Sequence, residues 1–448
     1  MKTIEALREG LDRLPVLDTH EHLVPERQRL EGGFDVLSLL LEIYIGGDLL
    51  SSGMSRNDLN LVVGRGGRPV PLEEKWKRLA PYWPQVSQTG YGRMIRLALK
   101  RFFGLDRLDR PGLMKAQAIF ESYNRAGIYR KILEEAGIRK VITQRTEPLE
   151  PGESELFELV IRPVGLGSLD RPGIENLEKR LGRSLPTLDA FLEGQRAFLK
   201  SARATGCLGL KTAAWCVEEA ELETAFSDLV ENGSVGRPRL GPARAAYQKL
   251  AAGNGLRPAE QWTLNSSLMH HLADCARELD LVMVIHTGAV WNAWIDFRVY
   301  NPLHIVPLLR LHPETKFDVY HAGIPWCREM AMIAKVFPNA WVNLTWAHII
   351  SPAMTISFLD ELLDMVPPGK ILGFGGDYVH SVENVIGHLE IARENLAAVL
   401  ARRIEKGLMD RSEAVAAARG WLWDNPARLY GIADPQPKTT ARRTKEKT

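Results

Sequence analysis

The order of apolar runs along the chain predicts an α/β fold: a (β/α)8 TIM barrel with a helical insertion after the first strand and a second insertion after the fourth. Three observations predict it. Eight short runs rich in Val, Ile and Leu recur through the sequence. Amphipathic stretches stand between most of them, and alternation of strand with helix forces a parallel sheet. No G-x-G-x-x-G follows any of the runs, which disfavours an open doubly wound sheet built to bind a dinucleotide.

The first strand is read at Leu14–Thr19 (LPVLDT), the second at Ile138–Thr143 and the third at Leu156–Leu166. Cys207–Thr212, Leu281–Ile285, Lys316–Tyr320, Ala340–Leu344 and Lys370–Gly375 supply the remaining five. Helical spacing of apolar residues predicts helices over Gln117–Ala136, Leu188–Ala204 and Ser266–Leu279. Arg328–Val336, Met354–Leu363 and Glu383–Arg402 follow the sixth, seventh and eighth strands in the same way. Two segments exceed ordinary connections. Residues 23–113, rich in aromatic and basic side chains, read as a helical insertion, and residues 215–258 as a second. Both leave the C-terminal ends of strands, the face on which barrels build active sites. A single barrel domain over 1–432 is expected, followed by a disordered basic tail over 433–448.

Composition narrows the function. Of 448 residues, 45% are apolar and 25% charged, enough apolar surface for a packed core. The formal net charge is only +2, and the tail carries much of the basic excess. A near-neutral body lacks the electrostatic footprint of a nucleic-acid binder. No apolar run reaches the length of a membrane span, and Met1–Asp12 lacks a signal-peptide core. The four cysteines form no C-x-x-C pair. A cytoplasmic protein acting on a small molecule is expected, without nucleic-acid or membrane partners and with a homo-oligomer left open.

Barrel chemistry lives where strands terminate. The first strand runs into Asp18-Thr19-His20-Glu21-His22, and residues two apart in an extended chain point the same way. His20 and His22 can therefore share one cation. The fifth strand ends in His286, the sixth in His321 and the eighth in Asp377. Any one of these histidines is as well explained as a hydrogen-bonded core residue, and Asp377 after Gly375-Gly376 as a turn residue. Their joint placement at the ends of four predicted strands points to a metal site. Imidazoles with one carboxylate suit Zn²⁺, with Fe, Mn and Ni as alternatives.

Asp18-Thr-His-Glu-His22, Ile285-His286-Thr287-Gly288, Tyr320-His321-Ala322-Gly323 and Gly375-Gly376-Asp377 resemble the motifs of the amidohydrolase superfamily of metal-dependent barrel enzymes. The resemblance implies His20, His22, His286 and Asp377 as metal ligands. It makes His321 a second-metal ligand in a two-ion site, or a group near the substrate in a one-ion site. Leu208–Ala214 and Asn301–His304 resemble the amidohydrolase-like domain fused to glutamine synthetase-like modules in plants and fungi. Gly90–Leu105 and Gly127–Thr143 resemble uronate isomerase. One departure stands out. Uronate isomerase carries Arg two residues after its eighth-strand Asp, and this chain has Val379.

A divalent cation would activate water and polarise a carbonyl. Asp377 is then expected to ligate the ion and carry the water's proton, and His321 to steady a developing oxyanion. Lys211, at the end of the fourth strand, has three readings: a carboxylated bridge between two ions, a contact to an anionic substrate, or a structural group. One ion is favoured, two if Lys211 is carboxylated. Arg145, Arg298, Trp291 and Tyr378 are expected to contact substrate, Arg forks suiting a carboxylate. Arg328, His380 and the tryptophans Trp215, Trp294, Trp326 and Trp346 stand near the same rim. The leading expectation is a metal-dependent hydrolase of an amide, ester or lactone. Uronate-type isomerisation or decarboxylation on the same site is the second reading, and a non-catalytic binding barrel the third.

Overall fold

The computed structural model describes residues 2–65, 69–145, 148–164, 169–213, 240–290 and 295–433. Eight parallel strands run in chain order: β1 (Val16–Glu21), β2 (Ile138–Gln144), β3 (Phe157–Ile161), β4 (Cys207–Ala213), β5 (Val282–His286), β6 (Lys316–Tyr320), β7 (Ala340–Asn343) and β8 (Ile371–Leu372). Backbone bonds beyond the short β8 close the ring. Thr19 N–H donates to Phe374 O at 3.1 Å, Asp377 N–H to His20 O at 2.8 Å and His22 N–H to Tyr378 O at 2.9 Å. The expected barrel is therefore present.

Alternation of side chains sorts each strand into an inner and an outer face. Leu17, Ile142, Val160, Val284 and Leu372 pack inside, where Trp423 and Tyr430 from the C-terminal segment join them. Outward-facing residues such as Val16, Val141, Met283 and Val319 pack beneath the helices. Polar residues stand inside as well. Lys211 on β4 pairs in register with Val284 on β5, which pairs with Asp318 on β6. Lys211 and Asp318 therefore share one level on alternate strands, the arrangement by which barrel interiors are layered.

The segment between β1 and β2 is helical, as its composition predicts. Its longest helix before residue 110, Gly90–Phe103, begins where Thr89 accepts the Gly92 N–H and ends at Gly104 with φ +66°. It packs along Val382–Glu405, the long helix after β8. The expected helix Gln117–Ala136 is two helices, Arg110–Tyr123 and Ile128–Glu135, parted at Gly127 with φ +90°. The expected strand Leu156–Leu166 ends at Ile161, ahead of Pro163, which has no N–H for a ladder. Of the second insertion, residues 215–239 lie outside the described residues, and Leu240–Ala251 is a helix. The tail expectation lies outside them beyond Ala433. Among the described residues, no helix is long and apolar enough to cross a membrane.

Candidate metal centre

β1 delivers His20 and, one residue past its end, His22, and the turn after β8 delivers Asp377. Asp377 Oδ1 lies 3.1 Å from His20 Nε2 and 3.4 Å from His22 Nε2. One ligand atom from each of the three falls within 4.8 Å of the other two. Residues more than 350 positions apart thus meet at the C-terminal end of the barrel.

The backbone there is unusual. Asp377 has φ +70°, His321 +67° and Trp346 +62°. Side-chained residues in this region cost about 1–3 kcal/mol each and persist only when neighbours hold them. Around Asp377 those neighbours are visible. Asp18 accepts the Gly376 N–H at 3.1 Å, Glu21 accepts the Tyr378 N–H at 2.6 Å, and Tyr44 donates its hydroxyl to the Asp377 carbonyl. Gly375 and Gly376 are required by space. A Cβ on Gly376 would sit 2.0 Å from Glu21 Oε1, and one on Gly375 2.1 Å from Thr345 Oγ1.

His286 and His321 form a second pair beside the trio. Nδ1 of His286 shares a hydrogen bond with Nε2 of His321 at 2.9 Å. Nε2 of His286 faces the Ala289 carbonyl at 3.0 Å, and Nδ1 of His321 the Thr345 carbonyl at 3.0 Å. With both ring nitrogens so engaged, His286 stands outside the three-donor group. Lys211 Nζ lies 3.1 Å from His20 Nε2 and 4.1 Å from the Tyr320 ring centroid.

Burial sets the protonation states. It pushes His22 and His286 down to about 3, and His20 and His321 well below the usual imidazole range. Neutral imidazole keeps a lone pair free to ligate, so the donor set fits a divalent cation. Burial also lowers the Lys211 ammonium to about 8 and raises Asp18 to about 6. Glu21 rises well above the ordinary carboxyl range, first through burial and then through the neighbouring Asp18 charge.

A cavity of about 490 Å³ opens over these residues. His22, Lys211, His286 and Asp377 line it, together with Arg65 and Arg162, which the sequence reading passed over. Arg162 follows the true end of β3, and Pro163 was the signal for it. Three expected substrate contacts are corrected. Arg145 is bound to Glu153 through two bonds of 2.9 and 2.7 Å and to the Leu23 carbonyl at 2.6 Å. Arg298 is exposed and paired with Asp296. Tyr378 is buried, its ring against Tyr44 and His388. Trp291, Trp294 and Trp215 lie outside the described residues. Trp346 lines the cavity, whereas Trp326 packs against Phe297. His380 is held by Glu42 at 2.5 Å, and Arg328 by Glu361.

Fold and site together define a class: a (β/α)8 barrel with a candidate divalent-metal centre at the C-terminal ends of its strands. The amidohydrolase family model matches residues 226–432. The match covers a little under half of the chain, and it agrees with the resemblance of the motifs above to the amidohydrolase superfamily. It is 25% identical over 182 residues to Protein fluG of Emericella nidulans, a match covering 40% of this chain and 21% of that protein. The chain thus spans about a fifth of that relative's length. Among solved structures, glucuronate isomerase from Caulobacter crescentus superposes with TM-score 0.77 at 18% identity, covering 98% of this chain and 95% of that one. Uronate isomerase from Thermotoga maritima gives 0.74 at 19%, covering 96% and 97%. A provisionally assigned metal-dependent hydrolase from Lactobacillus casei gives 0.63 at 16%, covering 95% and 97%. At these identities the likeness is one of fold.

Proposed function

We propose that the protein is a metal-dependent hydrolase that cleaves an amide, ester or lactone bond in a small, carboxylate-bearing molecule. The observation that carries this reading is the meeting of His20, His22 and Asp377 beside a cavity with Arg65, Arg162 and Lys211 in its lining. His20, His22 and Asp377 would hold one divalent ion, most naturally Zn²⁺, with His286 close by. A bound ion of this kind supplies Lewis acidity, polarising a carbonyl and lowering the pKa of water. Asp377 lines the cavity, where its carboxylate accepts the proton of the attacking water and returns it to the leaving group. His286 and His321, their ring nitrogens engaged with the Ala289 and Thr345 carbonyls and with each other, hold the wall beside the trio. Lys211, beside His20, draws an anionic substrate group toward the trio. The reaction belongs to one barrel domain over 1–432, acting in the cytoplasm on a small molecule.

Whole-chain likeness to uronate isomerases supports a second reading, sugar-acid isomerisation on the same residues. Val379, which lines the cavity in place of an arginine, speaks against it. Decarboxylation is the remaining use of the same groups. A panel of lactones, N-acyl and ester substrates, uronates and aromatic acids tests the proposal on zinc-loaded protein. Hydrolysis that disappears in Asp377→Asn is expected; ketose formation or carbon dioxide release without hydrolysis would overturn it.

A further inference from the structure

The arginines around the barrel mouth are not equivalent. Arg145, Arg298 and Arg328 are each neutralised by a carboxylate: Glu153, Asp296 and Glu361. Among the described residues, no carboxylate lies within ion-pair distance of Arg162. Its charge acts on both Lys211 and His286, and it lines the cavity with them. A planar guanidinium fork at that place is suited to a carboxylate, which it can grip through two parallel bonds.

The remainder of the lining limits what that carboxylate is attached to. Ile43, Val290, Ile295, Val379 and the indole of Trp346 form apolar wall. Of the neutral polar groups in the lining, Tyr44, Gln144, Thr212 and Tyr300, two have committed their hydroxyl hydrogens. Thr212 donates to the Val284 carbonyl at 3.0 Å, and Tyr44 donates to the Asp377 carbonyl. A uronate brings several hydroxyls, each of which gives up water on entry and needs a partner inside. An apolar ring or chain needs none and gains by leaving water.

We propose that Arg162 is the carboxylate-binding, specificity-determining residue of the cavity, and that the substrate is a carboxylic acid with an apolar or aromatic body rather than a polyhydroxylated sugar acid. This rests on the reading of a carboxylate-bearing substrate given above, and it adds the receiving residue and the character of the body.

The test is binding, measured by calorimetry on zinc-loaded protein with three probes: phenylacetate, its neutral counterpart phenylacetamide, and D-glucuronate. Phenylacetate is expected to bind about tenfold or more tighter than either of the others, the scale of one charged hydrogen-bonded contact. Arg162→Gln is expected to remove that advantage and Arg162→Lys to restore part of it. Arg162 is exposed at the strand end, and circular dichroism checks that both variants fold. Unchanged phenylacetate affinity in Arg162→Gln, or tighter binding of glucuronate than of phenylacetate, would overturn the proposal. If phenylacetate binding depends on Arg162 while no amide, ester or lactone is cleaved, the hydrolase reading fails and this inference stands.

Discussion

Glu21 accepts the backbone N–H of Tyr378 at 2.6 Å, and this bond crosses the seam where the barrel closes on itself. Glu21 lies between His20 and His22, and Tyr378 directly follows Asp377. The bond therefore fixes the spacing between both halves of the candidate ligand set. Partners of this kind orient ligands, and their loss costs roughly 10–100-fold in metal affinity. Glu21→Ala is expected to weaken zinc binding within that range, measured by competition with a chromogenic chelator. An unchanged affinity would show that the seam holds Asp377 without this carboxyl.

The same seam predicts intolerance at Gly376. An added Cβ would sit 2.0 Å from Glu21 Oε1, a distance that forces the buried carboxyl or the turn to move. Gly376→Ala is expected to destabilise the fold by about 1–3 kcal/mol. It should also lower zinc affinity, because Asp377 moves with the turn. Urea unfolding and the chelator titration read the two effects. Loss of stability at full metal affinity would separate the turn from the site.

Asp318 gives a pH dependence. Burial pushes its carboxyl up to about 7, against hydrogen bonds from Tyr430 and Asn343 that pull it down. The ordinary value is 3.8. Between these values the native state keeps a proton that the unfolded chain has released. The Asp318 contribution to stability is therefore full below about 4 and lost as pH rises through about 7. Asp318→Asn has no proton to lose. The stability of Asp318→Asn relative to the wild type is expected to improve steadily from pH 4.5 to pH 7.5 in urea unfolding. A constant difference across that window would contradict the shift.

Much of this was legible in the sequence, for reasons that differ by residue. His20 and His22 could be paired because a strand repeats its direction every second residue, and Asp377 because it closes the last apolar run. β8 itself shows why such reading works for place and not for extent: the run Lys370–Gly375 contains only two residues of regular strand, since its next bonds go across the seam to β1. Arg145 and Arg298 were misjudged because a charge reads the same whether bound or unbound. Their partners Glu153 and Asp296 stand only eight and two residues away, but only folded geometry shows the ion pairs. Arg162 was hidden by the opposite error, an apolar run carried through Pro163 as though the strand continued. The engagement of His286 with His321 depends on side-chain rotation, which no spacing rule encodes.

Metal content decides most directly whether these residues form a metal centre. Wild-type protein loaded with zinc, freed of excess metal and analysed by mass spectrometry is predicted to retain one ion per chain. Under the same treatment His22→Ala and Asp377→Asn are predicted to lose it. A wild-type chain that retains no ion, or variants that retain it as well as the wild type does, would contradict the account.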